Sequence, residues 1–190
     1  SGAWPDQANA EINKATAELV SGMATELDPI DFANGSFERL SWLVTMRLTS
    51  SMYHRFHAPC DAHLSRVTYI SGDTWNVNPI ALTRVKELFC KNERAVLEMQ
   101  TGDGMPFLIV PVAAVLVASM RFHAVDVLLN LRYKGPNEIP CDASYVKGQE
   151  MGWFEHGSTI LVFVPPGFAL ADGIESGKRI RMGESLLQRL

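Results

Sequence analysis

The sequence predicts a β-rich α+β fold, with a β domain preceded by an amino-terminal helix. Three observations carry this expectation. The chain has 190 residues, 47% of them hydrophobic and 20% charged, the composition of one well-packed domain. One stretch near the amino end has helical periodicity. From about residue 40 onward, short runs of branched and aromatic residues alternate with turn signals.

The helix is expected over residues 5–26, within a helical segment 1–30. Pro5 and Asp6 suit its start, Ala8, Ile12, Ala15, Leu19 and Met23 recur every three to four residues, and Asp28-Pro29 ends it. Strands are expected at 40–49, 52–57, 65–70, 95–100, 107–120 and 160–164, and a further β-like run covers 147–155. Ser71-Gly72-Asp73, Gly102-Asp103-Gly104 and Gly135-Pro136-Asn137 mark turns between them. Short helices are expected at 79–89 and 183–190. The chain reads as a single domain over 1–190, without internal repeats.

Composition also excludes some functions. A net charge of −4 argues against nucleic-acid binding, which needs a basic surface. Cys60, Cys90 and Cys141 are scattered without metal-ligand spacing, which favours reduced thiols. The most apolar run, 105–120, carries Pro106 and Pro111 and is too short for a membrane-spanning helix, which needs about 20 residues. The start at Ser1-Gly2, without methionine or signal peptide, leads us to expect a truncated amino end carrying a vector remnant.

The chemistry concentrates in two places. Tyr53-His54-Arg55-Phe56-His57 places two histidines three apart, on opposite faces if the segment is a strand. No carboxylate or cysteine is spaced to complete a metal site with them. On residue types alone the structural reading of these histidines is the favoured one. Some 100 residues later, His156-Gly157-Ser158-Thr159 joins two β-like runs. A Gly-Ser-Thr triplet is often only a turn. With a distant histidine base, however, its serine meets the requirement for an activated hydroxyl nucleophile.

Six segments in order complete the pattern: YHRFHAPCD at 53–61, SGDTWNVN at 71–78, KNERAVLE at 91–98, VAAVLVAS at 112–119, KGQEMGWF at 147–154 and Gly157-Ser158-Thr159. In this arrangement the chain resembles the phosphatidylserine decarboxylase family of pyruvoyl-dependent enzymes over roughly residues 33–165. The resemblance implies that the Ser158 hydroxyl attacks the carbonyl of Gly157, forming an ester that is then eliminated. A β-chain 1–157 and an α-chain 158–190 result, with Ser158 converted to a covalent pyruvoyl group that binds the substrate amine as a Schiff base. It further implies His57 as the self-cleavage base, His54 as the decarboxylation residue, and no need for pyridoxal phosphate or a metal. The substrate implied is phosphatidylserine, with peripheral membrane contact, homodimerisation and a place on the cytoplasmic side of a bacterial inner membrane. The stretch 147–152 resembles the hairpin of a barrel-sandwich hybrid, the fold expected of the family.

Departures from the pattern bear on processing. No Pro-x-Asp-Gly segment, the family's source of the triad acid, stands upstream of Tyr53 in this sequence, as expected where truncation has removed it. Asp6 is its nearest imitation, although Asp6 also suits a helix N-cap, and Asp28 and Asp31 are further substitutes. His156 replaces the leucine before Gly157, Ala62 replaces a glycine after Asp61, and Ala113 and Ala118 replace two more. These changes leave two alternatives open: the same chemistry on a soluble aromatic or diamino acid, or an uncleaved pseudoenzyme that binds a lipid or partner.

Overall fold

The computed structural model describes residues 42–48, 53–86, 88–114, 119–156 and 159–190; the expected helical segment 1–30 lies outside them. The described chain is dominated by antiparallel sheet. The larger sheet has the order β1 (Trp42–Arg47), β10 (Thr159–Val164), β5 (Pro106–Val112), β4 (Arg94–Thr101), β3 (Ala62–Ile70), β8 (Glu138–Tyr145). The second has the order β2 (Arg55–His57), β9 (Glu150–His156), β6 (Ser119–Phe122), β7 (Val125–Asn130). A small pair, β11 (Phe168–Leu170) and β12 (Leu187–Arg189), follows near the carboxyl end.

Side-chain alternation explains why the larger sheet sits at the centre. Ala95, Leu97, Met99, Ile109, Ile160 and Val162 join a core with Phe56, Met120, Phe122, Leu129 and Phe154 of the second sheet. Val96, Leu108, Val110, Leu161 and Phe163 face the other way, onto Val77, Leu82, Leu88 and Phe89. These last two belong to α2 (Leu88–Lys91), and Leu82 belongs to α1 (Pro79–Arg84). With both faces covered, β10 is buried at all six positions, and its sequence TILVFV is apolar at every position after Thr159 rather than alternating.

Pro111 lies inside β5, between β4 and β10. It has no N–H to give. The β4–β5 register accordingly holds at Arg94↔Val112 and resumes at Leu97↔Ile109, with the two intervening positions unpaired.

Buried Asn92 ties the loop after β3 to the sheet. Its amide nitrogen donates to the carbonyls of Trp75 (2.7 Å) and Ala113 (2.9 Å), and its oxygen accepts from the Trp75 N–H (2.9 Å). Asn92→Ala is expected to cost about 3 kcal/mol, because it strands backbone groups at one buried and two part-buried contacts. Urea unfolding of the full-length protein measures this, and a loss near zero would contradict it.

Three expectations need correction. The helix expected at 183–190 is absent: Gly183 has a φ of +91° and Leu187–Arg189 pairs with β11, so extended backbone replaces it. The helix expected at 79–89 is two short helices. Asn78 caps α1, accepting from Ala81 N–H at 2.8 Å, and Val85 already has extended backbone. The strand expected at 107–120 is divided between β5 and β6, which lie in different sheets.

Candidate active site

Gly157 and Ser158 lie outside the described residues, but their flanks are placed. β9 ends at His156, opposite Ser119 of the second sheet. β10 begins at Thr159, opposite Arg47 on one side and Val112 on the other. The link therefore passes from one sheet to the other. Ala113, Ala114, Ser119 and Thr159, the small side chains around its two ends, are all buried. Ser119 Oγ donates to Glu155 Oε2 at 3.0 Å, and Arg121 Nε donates to Glu155 Oε1 at 3.2 Å.

The two histidines of the sequence reading fall at different heights along β9. The Phe154 N–H donates to the His54 carbonyl at 2.9 Å, which sets His54 beside a residue four positions from Ser158. A register shift then carries His57 to Glu150, eight positions from Ser158. Six strand residues span about 20 Å, so His57 lies near the end of β9 remote from His156.

His57 is also engaged on both ring nitrogens. Nδ1 lies 2.8 Å from the Gly148 carbonyl, which only accepts, so Nδ1 carries the hydrogen. Nε2 lies 2.7 Å from the Tyr53 hydroxyl, and in the neutral ring it accepts from it. The Tyr53 ring stacks on the imidazole at 5.8 Å. Gly148 itself has a φ of +83°, in the turn between β8 and β9 where Gly148 N–H bonds to the Ala58 carbonyl at 2.8 Å. Asp61 Oδ1 accepts from Lys147 N–H in the same turn, at 2.8 Å. Together these contacts make the His57 ring a brace for the 147–149 turn.

Sequence reasoning missed a buried carboxyl near the start of β10. Glu93 is 0% exposed; Tyr69 OH donates to its Oε1 at 2.9 Å, while its Oε2 has no hydrogen-bond partner. Burial pushes the Glu93 carboxyl up to about 7, against a smaller lowering by the Tyr69 hydrogen bond. Burial, followed by the neighbouring Glu93, likewise drives the Tyr69 phenol far above its ordinary value. The signal was a glutamate two residues before the apolar run 95–97, where a strand heading into the core leaves no solvent for a charge. Asp6, Asp28 and Asp31 lie outside the described residues.

The other ionisable groups lie elsewhere. His63 is 3.5 Å from Asp142, and His123 Nε2 is 2.9 Å from Glu150 Oε1. His123 first, then Arg55, holds the Glu150 carboxyl below the ordinary carboxylate range. Among the described residues, no group of three or more His, Cys, Asp or Glu side chains could hold a metal ion. No helix among them is long and apolar enough to cross a membrane.

Comparison with known proteins agrees with the motif order. The family model for phosphatidylserine decarboxylase matches residues 9–188. The phosphatidylserine decarboxylase proenzyme of Haemophilus influenzae is 36% identical over 164 residues, covering 82% of this chain and 53% of the relative. The proenzyme of Herminiimonas arsenicoxydans is 36% identical over 181 residues, covering 92% and 58%, and that of Polaromonas naphthalenivorans 34% over 179 residues, covering 90% and 59%. The chain thus spans little more than half the length of the curated relatives it matches. With the match running over nearly all of its own length, the chain belongs to the phosphatidylserine decarboxylase family.

Proposed function

We propose that the protein cleaves itself between Gly157 and Ser158 and decarboxylates phosphatidylserine on a pyruvoyl group derived from Ser158, giving phosphatidylethanolamine and carbon dioxide. The observation that carries this reading is the run of β9 and β10 into Gly157-Ser158 from two different sheets, with small, buried residues at both ends of the link. Family membership supplies the chemistry. Once formed, the pyruvoyl carbonyl draws electrons from the bond to the departing carboxylate. The residues flanking the link, Ala113, Ala114, Ser119 and Thr159, are small and buried, in keeping with a group shielded from water.

The roles of the two rings are those the resemblance implies: His57 as the base for the Ser158 hydroxyl and His54 as the residue that returns a proton to the substrate α-carbon. Donation from Nδ1 to Gly148 leaves Nε2 as the basic nitrogen of His57, with the Tyr53 hydroxyl as its partner. His57→Ala is expected to slow self-cleavage by about 100-fold or more, whereas His54→Ala should cleave and decarboxylate poorly. Rapid cleavage by His57→Ala with arrest in His54→Ala, followed on a denaturing gel, would reverse this assignment.

The mature enzyme then consists of chains 1–157 and 158–190. The likeness of 147–152 to a barrel-sandwich-hybrid hairpin supports placing its β domain with those folds; residues 146–149 carry the chain from β8 of the larger sheet to β9 of the second. Peripheral contact with the cytoplasmic face of the inner membrane and a homodimeric state follow from the family resemblance. Exposed Tyr53, Trp75 and Ile80 supply apolar surface for that contact. Carbon dioxide release from phosphatidylserine vesicles by the purified full-length protein tests the substrate. Release from free aromatic or diamino acids, but not from vesicles, would overturn it.

A further inference from the structure

The segment that follows β2 grips the turn that precedes β9. Arg55 and Phe56 face Trp153 and Gly152, but His57 faces Glu150, so Met151 is an extra residue on β9. Such a bulge re-aims the side chains around it. Beyond it the two chains stay joined. The Ala58 N–H donates to the Gln149 carbonyl at 2.9 Å, and the Gly148 N–H donates to the Ala58 carbonyl at 2.8 Å. Asp61 Oδ1 accepts from the Lys147 N–H at 2.8 Å. The Gly148 carbonyl, flanked by these holds, is the group that meets His57 Nδ1.

Which nitrogen of a neutral imidazole is basic depends on the partner of the other. The Tyr53 hydroxyl at Nε2 is able to donate or accept, so it decides nothing by itself. A carbonyl only accepts, so Gly148 decides the tautomer. The aim of that carbonyl depends on a backbone φ of +83° at Gly148, which glycine adopts freely, and on where the preceding peptide is held. Asp61 holds it through the Lys147 N–H. Asp61, Lys147 and Gly148 are all exposed, so water would satisfy the same N–H. What the aspartate adds is position.

We infer that Asp61 is a positioning residue for His57: by fixing the Lys147 N–H it sets the Gly148 carbonyl against Nδ1 and leaves Nε2 unprotonated, as a base requires. This rests on the assignment of His57 as the self-cleavage base. The partner of Asp61 is a backbone N–H, so the role needs an acceptor oxygen at that place and no negative charge. It also gives a task to the last residue of the motif YHRFHAPCD, which spans the ring and the group that holds its turn.

The test reads the tautomer and the cleavage separately. Full-length protein labelled at the histidine ring nitrogens, in the Ser158→Ala background, gives heteronuclear spectra at alkaline pH that distinguish Nδ1–H from Nε2–H. His57→Gln identifies the signals of this ring. The parent is expected to be the Nδ1–H tautomer. Asp61→Ala should populate Nε2–H and, with Ser158 restored, slow cleavage by about fivefold or more, the equilibrium worth of one typical hydrogen bond. Asp61→Asn keeps the acceptor oxygen and should restore both the tautomer and the rate. A parent ring in the Nε2–H form overturns the inference even if Asp61→Ala fails to fold. So does an Asp61→Ala ring with the parent tautomer, the result of a merely structural aspartate, or Asp61→Asn behaving like Asp61→Ala. A chain that shows the tautomer response but never cleaves would sink the self-cleavage reading and leave the positioning of the ring standing.

Discussion

Ser158→Ala is expected to leave one intact polypeptide with no carbon dioxide release. Alanine lacks the oxygen that must attack Gly157, so neither the ester nor its elimination products can form. No other side chain can stand in, because the new amino terminus must be made from residue 158 itself. Intact mass and carbonyl trapping with borohydride read the outcome directly. Two chains from this variant would end the pyruvoyl reading. The variant also separates the residues of the link from those around it: folding should be nearly unaffected, because only one hydroxyl is lost. Its unfolding midpoint should therefore lie close to that of wild-type protein trapped before cleavage.

The elements that were legible in the sequence are those whose pattern follows from burial. β10 and the inner part of β4 stood out because branched and apolar residues cover both faces of a central strand. β8 was invisible as a strand: it is an edge, its burial alternates, and Pro140 interrupts its reading although an edge tolerates a missing N–H. The stretch 183–190 misled because leucines at 186, 187 and 190 have helical spacing, whereas the Leu186 carbonyl accepts from Ala171 and Leu190 N–H donates to Gly167. Such long-range partners leave no local trace. The motif at 53–57 made the two histidines conspicuous, but a register shift between Phe56 and His57 decides which meets the far half of β9. That shift is a property of the pairing, and neither residue signals it. Glu93 passed unnoticed because a glutamate in KNERAVLE reads as surface charge until the row linking β4, β5 and β10 is known.

The same buried carboxyl should leave a thermodynamic mark that does not depend on activity. In the Ser158→Ala background, where the chain stays whole, stability is expected to fall as pH rises from about 4.5 to 7 and then to level. The sign follows from proton counts. The Glu93 carboxyl ionises at about 7 when folded, against an ordinary value of 4.5, so the native state holds the extra proton in that window. Stability rises with pH only where the unfolded state binds more protons; here it binds fewer, and stability declines. A shift of about 2.5 pH units corresponds to on the order of 3 kcal/mol. Adding Glu93→Gln removes this dependence. Its amide places N–H groups where Oε2 has no partner, so at pH 4.5 the double variant should be the less stable by about 1–3 kcal/mol. The gap should close or reverse by pH 8, once the wild-type side chain bears the cost of a buried charge. Urea titrations of both proteins at the two pH values measure the change in the difference. A constant difference would show that Glu93 ionises at an ordinary pH, and would remove the neutral acid from the core beside Ala113.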